Sequence, residues 1–341
     1  MPSDSRAADF VYVSVGEKSV IAIYKLDLAT GALTPSGEVN VGGAPGALAV
    51  DAKQKFLYAA IRSAKSVMTL AIDPTTGGLS SLGTAPVAEN PVYLMVDRSG
   101  RYLLTSYYGA AKAAIYPIEK SGAVNSAATS IVETDKNPHS IMVDRSNRFV
   151  FVPNTGADKV LQYRFNADRG TLTPNEPAEF ATGVGTGPRH FYFHPTSNYV
   201  YFVNEKGSSV TATTLDRSAG TLAMIETTST LPDGYAGKNT CAHIEVHPSG
   251  KFLYGSNRGH DSIACYSIDA ATGKLTSLGQ QPTEATPRAF TIDPSGNFLF
   301  AAGQASGKLA AYRINTTTGK LEPLAVYSVG KGPAWVLALR M

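Results

Sequence analysis

PRAFTIDPSGNFLFAA, residues 287–302, decides the fold. It opens on Pro287, alternates apolar residues, and reaches Asp293 six residues later. Pro294-Ser295-Gly296 then turns the chain into the aromatic run that begins at Phe298. Two short strands joined by such a turn make a hairpin. The second strand recurs along the whole chain. FVYVS starts at Phe10, FLYAA at Phe56, YLLTS at Tyr102, FVFVP at Phe149, YVYFV at Tyr199 and FLYGS at Phe252. With Phe298, the steps are 46, 46, 47, 50, 53 and 46 residues.

The first strand recurs too, as Pro45/Asp51, Pro91/Asp97, Pro138/Asp144 and Pro188/His194. Cys241/His247 is the same element with its Pro replaced, and Pro333 opens a last copy. A third element follows each aromatic strand, as in Ala271-Thr272-Gly273-Lys274-Leu275 and Thr318-Gly319-Lys320-Leu321. It is a second hairpin turn, with Gly supplying the positive φ. Each unit therefore holds four short strands and two hairpins, and no stretch shows a helical stripe. Four-stranded units of about 45–50 residues are β-propeller blades.

The fold expected is all-β, a single seven-bladed propeller over residues 1–341 with residues 1–8 as a flexible tail. The first aromatic strand has no Pro-anchored strand before it, and the last Pro-anchored strand has no aromatic strand after it. Each end supplies what the other lacks, so the two termini are expected to share one blade and close the ring.

Composition excludes several classes. There are 32 Gly and 20 Pro, and only 17% of the 341 residues are charged. A net charge of +3 without like-charged runs argues against nucleic acid or membrane partners. No stretch approaches the ~18 apolar residues of a spanning helix, and MPSDSRAADF lacks an apolar signal core. A cytoplasmic monomer is expected. No GxGxxG or GKS/T loop opens a helix, so no cofactor is expected; no HxxxH or CxxC spacing occurs, so no metal is expected either.

The innermost strands of a propeller line its channel, and two sets of loops open on one face. The residue after each Pro-equivalent is Gly46, Val92, His139, Arg189, Ala242, Arg288 and Ala334, and the next is Ala47, Tyr93, Ser140, His190, His243, Ala289 and Trp335. The loop after each second strand contributes Gly16, Arg62, Tyr108, Thr155, Glu205, Arg258 and Gln304. Histidines, arginines, one glutamate and the single tryptophan thus converge on one funnel. Gathering charges in a concavity is costly unless they pair or meet a ligand. An ion-pair network tying neighbouring blades is one reading. An anion-binding site with acid/base capacity is the sharper one. His194 and His247 replace the turn Asp and are read as structural. His260 is placed on an exposed loop, and Cys241 is read as a buried, inert thiol.

Gly187-Pro188-Arg189-His190, Val203-Asn204-Glu205, His243-Ile244-Glu245-Val246-His247-Pro248, Ser256-Asn257-Arg258 and Gln281-Pro282-Thr283-Glu284 resemble the propeller-type bacterial 6-phosphogluconolactonases. The likeness runs along essentially the whole chain and is densest from Thr182 onward. The fungal 3-carboxy-cis,cis-muconate lactonising enzymes are more distant relatives of the same fold. The resemblance implies hydrolysis of a small anionic lactone, 6-phospho-D-glucono-1,5-lactone, in the pentose phosphate pathway. It implies a catalytic set of His139, Arg189, Glu205 and Arg258, with Glu205 or His139 as base. His190, His243 and Arg288 are candidates for holding phosphate. Asn204, Asn257, Gln304 and Trp335 complete the substrate-binding candidates. A muconate cyclase, a lactonase for an unphosphorylated sugar, and a non-catalytic binding scaffold are the alternatives.

Overall fold

The structure is a computed structural model and describes residues 9–341; the expected tail, residues 1–8, lies outside the described residues. Its strands form seven four-stranded antiparallel sheets arranged as a ring. Six blades use consecutive strands, running 45–86, 93–133, 142–181, 188–229, 240–282 and 287–328. The seventh takes its inner strand, Pro333–Arg340, from the C-terminal end and its other three strands from residues 9–40. Asp9 pairs with Arg340 and Val15 with Pro333, so the shared closing blade is as expected.

The aromatic strand is second in its blade and buried on both faces. In Asp9–Val15 every residue is buried. Phe10 and Tyr12 face the next blade, whereas Val11, Val13 and Val15 face the previous one. Successive side chains of a strand point to opposite faces, which explains why the run is continuously apolar. The core is accordingly seven clusters, each shared by two adjacent blades.

The hairpin glycine does more than turn the chain. A Cβ on Gly77 would strike the Phe10 ring, and one on Gly319 would strike the Phe252 ring. The same holds between Gly122 and Phe56, and between Gly220 and Phe149. Each of these rings belongs to the preceding blade. Two residues on, Tyr12 Oη donates to Gly77 O at 2.9 Å and Tyr254 Oη donates to Gly319 O at 2.8 Å. The repeated aromatic-x-Tyr therefore docks one blade onto the next, and a hydrogen bond satisfies the buried phenol.

The turn residue after the first strand forms a second tie. Asp293 Oδ1 accepts from Phe298 N at 2.7 Å within its own turn. His247, in the Asp position of its blade, accepts from Ser249 N through Nδ1 at 3.1 Å. Its Nε2 donates to Gly296 O of the following blade at 2.7 Å. His194 reaches Gly250 O in the same way at 2.9 Å. Both are structural. His260 differs from expectation: it is half-buried against the Tyr235 ring, 4.8 Å between centroids, and shares a hydrogen bond with Ser262.

The inner strands break register at one end. The shift falls between Pro45 and Leu48, Pro188 and His190, Cys241 and Ile244, and Pro287 and Ala289. In the 142–181 blade it leaves only Met142–Val143 as strand, with Pro138 bridged separately to Asn154. Such bulges free backbone groups from the ladder and re-aim side chains. The residues they re-aim include His139, Arg189, His243 and Arg288.

Candidate active site

Glu205 leaves the second strand of its blade between two guanidiniums. Its Oε2 lies 2.8 Å from Arg189 Nε, and its Oε1 lies 3.2 Å from Arg258 Nη2. Arg189 is 1% exposed, whereas the Glu205 side chain retains 21%. Both arginines are anchored on the bulge of the 240–282 blade, which is Arg258's own and the next one to Arg189's. Arg258 Nη2 donates to Cys241 O at 3.0 Å, and Arg189 Nη1 donates to Ala242 O, a carbonyl the bulge releases. Ser140 Oγ and Thr155 Oγ1 hold the backbone of Arg189 and Pro188 from the preceding blade, each at 2.9 Å.

His139, His190, Arg288, Arg62 and Trp335 line the funnel floor beside Arg189. The free volume among them is about 10 Å³, on the order of one water. A larger ligand must therefore engage at the mouth, where Glu205 and Arg258 reach solvent, or part the arginines. Clefts between blades are roomier, one reaching about 280 Å³ beside Asp144 and Arg217. Size does not mark the site; unsatisfied charge does. Four guanidiniums (Arg62, Arg189, Arg258, Arg288) face one carboxylate. Among the described residues, Nε–H of Arg62, Arg189 and Arg258 is buried without a directed acceptor; for Arg189 the nearby Glu205 oxygen lies off the N–H axis. His139 Nδ1 is buried and unpartnered too. Four guanidiniums held close together with a single carboxylate leave a net positive site, which suits an anionic ligand.

Electrostatics follow from that crowding. Burial first, then the charges of Arg189 and Arg288, hold His139 well below the ordinary histidine value. Burial and Arg189 do the same to His190. Arg288 is pulled down to about 10, by burial first and then by Arg62 and Arg258. Burial likewise lowers the proton affinity of Arg189, with Arg288 and Arg258 adding to it and Glu205 opposing. Tyr108, edge-on to His139 at 5.3 Å, is raised by burial and then by Glu205. Burial pushes the Cys241 thiol up to about 12, so it is inert.

The two histidines make stability depend on pH. Unfolded, each binds a proton near 6.5, the ordinary histidine value; folded, each stays neutral below that value. Stability is thus fully present above 6.5 and is lost as pH falls through and below it. Two protons amount to about 3 kcal/mol per pH unit inside that window. Melting temperature should fall steadily from pH 7 to 5, and His139→Gln should flatten the slope. A melting temperature flat over that range would contradict neutral burial.

The structure gathers His139, Arg189, Glu205, Arg258, His190 and Arg288 into one funnel, as the repeat alignment expects. His243 and Trp335 sit deeper, in the channel. Trp335 meets Tyr93, His190 and His243 at ring distances of 5.5, 5.7 and 5.5 Å and plugs the channel. Gln304 is half-buried at the rim, its backbone N donating to Thr286 O. Asn204 and Asn257 are corrections. Asn204 is fully buried and donates to Ser209 Oγ and Thr211 Oγ1, both at 2.9 Å. Asn257 is equally buried, taking a bond from Thr230 Oγ1 and donating to Thr230 O and Ser262 Oγ. Asn204 braces its own blade and Asn257 ties its blade to the segment leaving the preceding one, because side chains alternate along a strand, which turns them away from the channel. Arg62 is absent from the candidates although its repeat position is that of Glu205 and Arg258; reading the ring position by position finds it.

A family model for the seven-bladed β-propeller lactonases matches residues 10–338. The 6-phosphogluconolactonase of Pectobacterium carotovorum is 35% identical over 184 residues, 54% of this chain and 55% of that one. That of Erwinia tasmaniensis is 36% identical over 174 residues, 51% and 52% of the two chains. The matched stretch thus spans about half the length of these relatives. Among solved structures, a periplasmic gluconolactonase of Pseudomonas aeruginosa superposes with a TM-score of 0.91 at 24% identity, covering 97% of this chain and 99% of that one. A protein from Lactobacillus plantarum gives 0.87 at 26% identity, covering 98% and 99%. With a fold that repeats through all seven blades and a family match over nearly its whole length, the chain belongs to the seven-bladed β-propeller lactonase family.

Proposed function

We propose that the chain hydrolyses 6-phospho-D-glucono-1,5-lactone to 6-phosphogluconate, as a monomer in the cytoplasm, where sugar phosphates are held. The observation that carries the reading is the cationic excess of the funnel, where Arg62, Arg189, Arg258 and Arg288 gather with the single carboxylate of Glu205. An acyl transfer to water needs a base at the water, donors where the oxyanion forms, and a clamp for the distal anion. His139 supplies the base. Both Glu205 oxygens are held by arginines, which leaves His139 as the group to take the proton. Water adds to the lactone carbonyl as His139 takes its proton. Arg189 and Arg258 stabilise the oxyanion; collapse breaks the bond between C1 and the ring oxygen, which leaves with the proton that His139 took from the water. Arg288 and Arg62 hold the phosphate. A bound phosphate cancels the arginine field, which removes the second cause of the low proton affinity of His139 and makes it a better base.

The charge excess would also suit a substrate with several carboxylates, which keeps the muconate cyclase as the second reading. The discriminating experiment is a pH-stat assay of phosphogluconolactone, gluconolactone and carboxymuconate, corrected for spontaneous hydrolysis. The phosphorylated lactone should exceed its unphosphorylated analogue in kcat/KM by about tenfold or more, one charged contact's worth. Equal rates would remove the phosphate clamp, and turnover of carboxymuconate alone would move the chain to the cyclases.

A further inference from the structure

A chain of hydrogen bonds leaves the funnel through the plug of the channel. Arg189 Nη1 lies 3.2 Å from His190 Nε2. His190 Nδ1 lies 2.8 Å from His243 Nδ1, and His243 Nε2 lies 3.3 Å from Glu245 Oε1. The other Glu245 oxygen accepts from Ile292 N at 2.9 Å. Glu245 lines a cleft of about 350 Å³ with Tyr93, Tyr192 and Trp335, a cleft that shares only Trp335 with the funnel floor. Burial, then the charge of Glu245, raises the pKa of both tyrosines.

The direction of the chain is held from both ends, by a donor at Arg189 and an acceptor at Glu245. A guanidinium only donates, so His190 Nε2 must accept and carry no proton. The proton of His190 is then on Nδ1, which donates to His243 Nδ1. That nitrogen must accept in turn, so the proton of His243 is on Nε2 and goes to Glu245. Every hydrogen in the chain has one allowed place, provided Glu245 offers an acceptor at each end.

We propose that Glu245 is a positioning residue for the funnel: through His243 and His190 it sets the tautomer that gives Arg189 its acceptor. Removing that acceptor reverses the chain. Gln at 245 has one oxygen for two donors, His243 Nε2–H and Ile292 N–H. If its amide group turns to His243, the histidine protons shift to His243 Nδ1 and His190 Nε2. His190 then presents N–H to the N–H of Arg189, and the guanidinium loses its aim on Glu205 and on any oxyanion. Sequence carries a signal for this: His243 and Glu245 are two apart on one strand, hence on one face. The effect on turnover rests on the lactonase reading; the tautomers do not.

The test is long-range ¹H–¹⁵N spectra of the histidine-labelled full chain, with His190 and His243 assigned from single His→Asn variants. The wild type should show His190 protonated at Nδ1 and His243 at Nε2. Glu245→Gln should shift both to the opposite nitrogens and lower kcat by about ten- to a hundredfold, the scale of a misaimed group, with KM moving far less. Glu245→Asp, which keeps two acceptor oxygens, should retain the wild-type tautomers and serves if the Gln variant does not fold. A wild-type His190 protonated at Nε2, wild-type tautomers in Glu245→Gln, or shifted tautomers at full kcat would each overturn the proposal. The spectra need no turnover, so a chain inactive on phosphogluconolactone fails the functional reading without deciding the chain of tautomers.

Discussion

Arg189→Ala should lower kcat/KM for phosphogluconolactone by at least about 10²-fold, the scale of one lost oxyanion donor. Two effects combine. The guanidinium lies 2.8 Å from Glu205 and lines the funnel floor with His139, so transition-state charge loses a partner. Its removal also orphans Ala242 O and His190 Nε2 and leaves Glu205 with Arg258 alone. Breaking a buried pair by deleting one member costs about 3–5 kcal/mol, since the other charge stays behind. Stability must therefore be followed in parallel. Arg189→Lys separates the two terms: it keeps a charge near Glu205 but cannot span Glu205, Ala242 and His190 at once. Its melting temperature should lie between those of wild type and Arg189→Ala, with kcat/KM still down more than tenfold. Full activity in either variant, in a folded protein, would remove Arg189 from the catalytic set. Circular dichroism melts beside initial rates make the comparison.

The fold was legible because a propeller repeats its instructions. The step between aromatic strands, the Pro before each inner strand and the Gly in each second hairpin appear in nearly every blade. What they do to one another was not legible. Gly77 reads as a turn residue, and its contact with the Phe10 ring is 67 positions away and in another blade. The site was legible to the same depth. Repeat alignment places His139 and Arg189 at one repeat position and Glu205 and Arg258 at another on the same face, and a ring brings equivalent positions together. Adjacency in sequence misled at Asn204 and Asn257, whose neighbours face the channel while they face inward. Bulges blur the simple alternation at the inner strands, so Arg189 and His190 both reach the funnel floor although they are consecutive.

Deleting residues 333–341 should abolish the cooperative thermal transition. That segment is the inner strand of the closing blade, and it pairs with Asp9–Val15 from Val15↔Pro333 to Asp9↔Arg340. Val336, Ala338 and Leu339 are 3%, 7% and 4% exposed, and Trp335 plugs the channel against Tyr93, His190 and His243. At about 1.5–3 kcal/mol per buried apolar side chain, the lost burial is roughly 5–10 kcal/mol. A whole domain is stable by about 5–15 kcal/mol. The loss is worse than the area suggests. Asp9–Val15 becomes an open edge with unpaired N–H and C=O groups over an apolar strand, which invites association between chains. The ring also loses the blade that couples its first and sixth neighbours, since the clusters around Phe10 and Val11 join blades on either side. Differential scanning calorimetry and size-exclusion chromatography of the truncated chain give the outcome directly. A monomer that melts at the wild-type temperature would show that the ring does not depend on its closing strand.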